Sequence, residues 1–266
     1  MEMTAQVIAY CERGDFGFWA EPLNAVTNGA FLIAAAVMGW RLRGSGLVIG
    51  WLLVAVLVAI GVGSFLWHTF ATRWAGLADV LPILLFILIY IFAATRDFLG
   101  LRWGWALLAV GLFFPWAFAI AGGLGRLVPG IGANGAYLSV ALLILVYAAW
   151  LARRAPATAR GLAIGASILC VSLTFRALDG PICEVIPTGA HFLWHILNGV
   201  MLGWMIEVYR RHCVPLHPPS SVAERITSAN TTDVTPSTWS RVGLWVAFAF
   251  FFIFINSVII FFRYFS

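Results

Sequence analysis
The chain has 266 residues, 62% of them hydrophobic and only 10% charged, against about 25% charged in soluble domains, which excludes a water-soluble globule. The net charge of +5 comes from sixteen basic residues, all Arg, against eleven acidic ones. The arginines cluster between apolar runs, where cytoplasmic loops are expected to be basic, so they read as topology signals and no nucleic-acid partner is expected.

The segment 1–22 is polar and acidic and lacks a continuous apolar core, so no cleavable signal peptide is expected and the first span serves as the targeting signal. It contains Glu12, Asp15 and Glu21, interleaved with Gly and aromatic residues. Composition alone favours an ordinary solvated segment. The same carboxylates could instead build an oxygen cage for calcium, which takes about 6 to 8 oxygen ligands.

A membrane span needs roughly 20 apolar residues to cross about 30 Å of hydrocarbon. The hydropathy pattern predicts spans at Leu23 to Trp40, Leu47 to Phe70, Leu77 to Ala94, Trp103 to Ala121, Ala136 to Leu151, Leu162 to Leu178 and Ala190 to Tyr209. Residues 23–213 are therefore expected to form an all-α, polytopic seven-span bundle. Asn24 and Asn28, one turn apart in the first span, suit bonds to neighbouring helices. The stretch 214–240, rich in Pro, Ser and Thr, reads as a cytoplasmic linker. An eighth span, Val242 to Phe262 within 241–266, carries Asn256 and Ser257 but no internal charge, which suits packing or anchoring better than chemistry.

With the N-terminus outside, eleven arginines fall on the inner side and five (Arg13, Arg73, Arg126, Arg176 and Arg263) on the outer side, as the positive-inside rule requires. Arg and Ala abundance without Lys suits a GC-rich bacterial genome, hence a bacterial inner membrane. In this orientation the end of span two and the starts of spans three and seven share the outer face. His68, Asp79, His191 and His195 are then expected at one depth.

Ionisable residues inside spans are costly to bury and usually face the bundle interior. Ser64 and His68 are four apart, stacked on one helix face about 6 Å apart along the axis. His191 and His195 repeat that spacing, which lets two imidazoles chelate one ion. Any single histidine is more simply an interior residue bonded to a carbonyl. Three at one depth, beside Ser64 and Asp79, match the three-imidazole-plus-water shell of a catalytic zinc site. Asp79 is expected to open span three, with Pro82 in the first turn. There it is either an acid favoured by the helix dipole or a carboxylate that orients a ligand or takes a proton. The four cysteines show no CxxC spacing, which argues against a structural thiolate zinc site.

Several pieces together resemble the alkaline ceramidases, within a wider superfamily of seven-span intramembrane hydrolases that includes adiponectin-receptor-like proteins. They are Cys11-Glu12, Glu21-Pro22-Leu23-Asn24-Ala25-Val26-Thr27-Asn28, Gly63-Ser64-Phe65-Leu66-Trp67-His68 with Asp79, Asp179-Gly180-Pro181-Ile182-Cys183-Glu184 and His191-Phe192-Leu193-Trp194-His195. The resemblance implies that His68, His191 and His195 ligate zinc, that Asp79 acts on the activated water and that Ser64 lies beside the metal. It also implies calcium at Glu12 and Glu21 with a carbonyl near Tyr10. Ala9 and Gly14 stand where the relatives have Asp and Asn, so Asp15 is the compensating ligand. A Cys11–Cys183 disulfide is implied as well, on the side where oxidation is permitted, leaving Cys170 and Cys213 as free thiols. The implied activity is hydrolysis of the N-acyl bond of ceramide or a related lipid amide drawn from the bilayer. Two other readings fit the residues: a receptor or lipid-binding protein with a structural zinc, and a transporter using the histidines and Asp79 as a proton relay. The transporter reading predicts internal repeats, and none is evident.

Overall fold
The computed structural model describes residues 2–128, 131–132 and 134–214. The predicted linker and eighth span lie outside the described residues. Within them the chain is all α-helical, without a β-strand. Six helical segments are long and apolar enough to cross a membrane: Pro22–Arg41, Val48–Phe70, Arg73–Phe98, Trp103–Leu127, Asn134–Leu151 and Pro156–Leu178. The protein is a multi-pass membrane bundle.

The first span is a short helix α1 (Pro22–Thr27) continued after Asn28 by α2 (Gly29–Arg41). Pro22 sits in the first turn, where its missing N–H costs no helical bond. α3 is Val48–Phe70, and α4 is Arg73–Ala93, extended by a π turn over Ala94–Phe98. Then follow α5 (Trp103–Leu127), α6 (Asn134–Leu151), α7 (Pro156–Leu178) and α8 (His191–Cys213). Each helix from α2 onward packs on the next, and α8 closes on α2 to complete a ring of seven. At about 1.5 Å per residue, α8 is as long as its neighbours. Its histidines, Asn198 and Glu207 make it less apolar, and its polar residues face inward.

The described helices follow the predicted order, with six of the seven predicted segments long and apolar enough to cross a membrane, but several helices begin earlier than hydropathy indicates. α4 starts at Arg73 rather than Leu77, and α7 at Pro156 rather than Leu162. Hydropathy marks the part of a helix that belongs in hydrocarbon, whereas backbone hydrogen bonding continues into the polar interface. One consequence corrects an expectation: Asp79 stands in the second turn of α4, not in its first, and Pro82 is interior.

Close packing joins α8 to α2. Gly199 and Gly203, one turn apart, rest on Ala30 and Ala34, and a Cβ at Gly199 would come within 3.1 Å of the Ala30 backbone. Small residues let two membrane helices approach until their backbones touch. At the far end of the same pair, buried Glu207 accepts hydrogen bonds from Arg41 of α2 and from Arg210 and Arg211 of its own helix. The segment before α1 folds back over the other end. Val7 N–H donates to the Ala71 carbonyl at 2.8 Å, Arg73 N–H donates to the Ala5 carbonyl at 3.1 Å, and Gln6 and Thr72 form an isolated antiparallel bridge. Ala71 takes a left-handed conformation (φ 49°) between α3 and α4, which costs about 1–2 kcal/mol for a residue with a Cβ and is braced by that contact.

Candidate metal centre
α3 delivers His68 in its last turn, and α8 opens at His191 and brings His195 in one turn later. The three predicted ligands meet: one ring nitrogen from each lies within 4.8 Å of the others, and all three residues are buried. Ring centroids are 5.2 Å apart for His68 and His191 and 4.6 Å apart for each pair with His195.

The second nitrogen of two rings is fixed by a hydrogen bond. His68 Nδ1–H donates to Glu21 Oε2 at 2.6 Å. His195 Nδ1 lies 3.0 Å from Thr27 Oγ1, whose hydroxyl proton already goes to the Leu23 and Asn24 carbonyls at 2.8 and 3.1 Å. The imidazole is therefore the donor and Thr27 the acceptor. Both rings are left in the tautomer whose Nε2 carries a lone pair. These two Nε2 atoms and His191 Nδ1 are buried without a protein partner. An unsatisfied buried polar atom costs about 1–3 kcal/mol, and a shared metal ion satisfies nitrogens gathered in this way. The group fits a metal ion.

The N-terminal segment forms the surroundings of these histidines. The Arg13 side chain is fully buried; its Nε donates to Glu21 Oε1 and its Nη2 to the His68 carbonyl at 2.8 Å. Asn24 Nδ2 donates to Glu21 Oε2 at 3.1 Å. Burial alone would raise the Glu21 carboxyl, but the His68 and Arg13 hydrogen bonds outweigh it and hold the group below the usual carboxylate value. The Tyr10 ring stacks on His191 with centroids 3.8 Å apart and lies 5.1 Å from His68, and burial pushes its phenol up.

Ser64 is buried one turn before His68, and Asp79 is half-buried on α4, facing the Ser64 hydroxyl and within electrostatic reach of His68. Pro82 has no N–H to offer the carbonyl of Ala78, four residues earlier. That carbonyl lies against Gly63, so close that a Cβ there would collide with it. Gly63 and Pro82 thus explain how α3 and α4 come near enough to set Ser64 beside Asp79.

Asp179, part of the quoted motif but given no role by sequence reasoning, positions α8. Its Oδ1 accepts from the backbone N–H groups of Ala190 and His191, both at 2.9 Å, and its Oδ2 from Cys11 N–H at 3.1 Å. Cys11 and Cys183 form a disulfide, as the resemblance implies, with Cα atoms 5.4 Å apart. Gly189 has φ +62°, and a Cβ there would strike Asp179 Oδ1 and crowd Cys11. Cys170 and Cys213 are not disulfide-bonded.

The residues expected to hold calcium are engaged otherwise. Glu12 accepts from the N–H groups of Leu23 and Asn24 at 2.7 and 2.8 Å, at the start of α1. Asp15 accepts from Gly17 N–H, Glu21 serves Arg13 and His68, and the Tyr10 carbonyl accepts from Arg13 N–H. A guanidinium supplies the positive charge beside these groups, and the structure gives the calcium reading no support.

Neither the known protein-family models nor the curated proteins contain a match to this chain. The likeness to ceramidases rests on the motif residues alone.

Proposed function
We propose that the protein is an intramembrane zinc-dependent amidohydrolase that cleaves the N-acyl bond of ceramide or a related lipid amide to a fatty acid and a long-chain amine. The observation that carries this reading is the buried His68-His191-His195 cluster, with unpaired nitrogens, beside Ser64 and Asp79. Three neutral imidazoles suit zinc with one position open. Zinc held there supplies Lewis acidity for the amide carbonyl and lowers the pKa of a water.

The chain's own groups divide the remaining work. Glu21 and Thr27 fix the tautomers of His68 and His195. Asp79 accepts a proton from the attacking water and passes it to the departing nitrogen. Ser64 donates a hydrogen bond to the oxygen that becomes negative as the carbonyl carbon turns tetrahedral. An apolar cavity of about 70 Å³, lined by Phe86, Tyr90, Tyr137, Asn198, Met201 and Met205, begins one turn beyond His195 and suits part of an apolar chain. Loop charge favours an orientation with the N-terminus outside and the site toward the outer face; Arg abundance without Lys is what suggests a bacterial inner membrane.

The test is metal analysis of the purified protein beside hydrolysis of ceramide and other N-acyl lipids by wild type and His68→Ala. Loss of both zinc and turnover is expected in the variant. Full hydrolysis by the zinc-free variant refutes the mechanism. Zinc retained by wild type that hydrolyses no amide favours a receptor.

A further inference from the structure
Arg176, near the C-terminal end of α7, stands beside the metal centre in an environment that its role as a topology signal does not require. Its guanidinium carbon lies 5.3 Å from the Tyr137 ring centroid and 5.7 Å from that of Trp194. The two rings meet edge to face at 5.2 Å, so the cation rests against an aromatic corner. Trp194 directly precedes the ligand His195, and the Arg176 charge reaches Tyr10, Asp79, His191 and His195.

What this cation lacks is an anion. Its Nη1 donates to Asn134 Oδ1 at 2.5 Å, and among the described residues no carboxylate lies within ion-pairing distance of it. Arg13, at the same end of the bundle, is fully paired with Glu21. A guanidinium offers five N–H donors, and a half-buried one with a single amide acceptor is short of partners. The aromatic corner and Asn134 fix the plane of the fork, which makes it a ready receiver for a planar, bidentate anion.

We propose that Arg176 reads a carboxylate on the substrate, which makes the lipid amide an N-acyl amino acid. The inference rests on the amidohydrolase reading. The carboxylate of such a lipid is one carbon from the amide nitrogen, so it meets the guanidinium while the amide carbonyl lies at the three histidines. One guanidinium matches one carboxylate in charge; a phosphate dianion would leave excess negative charge within reach of Asp79. In the reaction the acyl C–N bond breaks, a C–O bond forms to the oxygen of water, and the nitrogen takes a water proton. A fatty acid and a free amino acid result, the amino acid taking the place of the long-chain amine that ceramide would release.

The test compares N-palmitoylglycine with N-palmitoylethanolamine, which share acyl chain and amide but differ in the carboxylate. Binding to the full chain in detergent micelles is measured by thermal shift and competition, and turnover by kcat/KM. Wild type is expected to favour the glycine amide at least tenfold in both. In Arg176→Gln the preference falls toward unity, and Arg176→Lys, which keeps the charge but loses the fork, restores part of it. Equal binding of the two amides by wild type overturns the proposal, even where the variants do not fold. A preference that persists in Arg176→Gln overturns it as well. Where neither amide is hydrolysed, the hydrolase reading fails, and the binding ratios alone decide the role of Arg176.

Discussion
Replacing Glu21 by Gln separates the two roles that its position allows. The carboxylate accepts from Arg13 Nε, His68 Nδ1 and Asn24 Nδ2, and it is almost fully buried beside a guanidinium with no exposed side-chain surface. The amide keeps the shape but removes the charge, so Arg13 becomes a buried cation without its anion, at a cost of about 3–5 kcal/mol. His68 also loses the partner that fixes its tautomer. Outer-shell partners of this kind govern metal affinity by about 10–100-fold, or about 1.4–2.7 kcal/mol at 1.36 kcal/mol per factor of ten. Glu21→Gln is therefore expected to lower the unfolding midpoint and to weaken zinc binding by one to two orders of magnitude in competition with a chelator. The pH dependence has a definite sign. The folded carboxyl lies below its ordinary value, so its stabilisation is present above that value and is lost as pH falls through the lower folded one. In the metal-free protein, that acid-side loss is expected to be smaller in the variant. Unchanged zinc affinity with weakened calcium binding would refute the assignment of Glu21 to the histidine site.

Two further substitutions probe how the helices are placed. Asp179→Ala removes the acceptor of three backbone N–H groups, two of them at the start of α8; each buried donor left unpaired costs about 1–3 kcal/mol. A lowered unfolding midpoint and weaker zinc retention are expected, and an unaltered midpoint would count against the capping role. Gly63→Ala drives a methyl into the Ala78 carbonyl and is expected to cost about 1–3 kcal/mol through overpacking. Because the displaced turn carries Ser64 rather than a ligand, amide turnover should fall while zinc content stays stoichiometric. Loss of zinc without loss of stability would show that the α3–α4 contact does something else.

The bundle was legible because each span is a long apolar run, and the meeting of the three histidines because their spacing and the alternation of the spans put them at one end of it. Helix ends were less so: α4 begins four residues before its hydrocarbon portion, which moved Asp79 from a helix start into the second turn. The least legible groups were those whose role depends on pairing across the chain. Arg13 reads as a loop charge until it is seen bonded to the His68 carbonyl, 55 residues away, and Thr27 as an ordinary helix residue until it meets His195, 168 residues away. Hydropathy and local spacing carry no term for such distances. Glu21 had a local signal in the cation eight residues before it, which favours an ion pair over a cage of oxygens around calcium.

The arrangement of partners explains why so much of the site's support comes from residues 2–21. The three histidines belong to α3 and α8, which are not neighbours in the ring; each helix packs more extensively on α2 than on the other. Their relative position is therefore weakly set by direct helix packing, although the ligand atoms must agree to within a few tenths of an ångström for a metal shell. The N-terminal segment ties both down. It bridges to the α3–α4 turn through Gln6 and Thr72, holds the His68 carbonyl through Arg13, and reaches the loop before α8 through Cys11 and Cys183. Tyr10 then closes over His191. Through Arg13, the covalent tie and Tyr10, a segment that composition marks as a solvated leader acts as a brace between the two helices that carry the histidines, and its acidic residues are spent on holding that brace together.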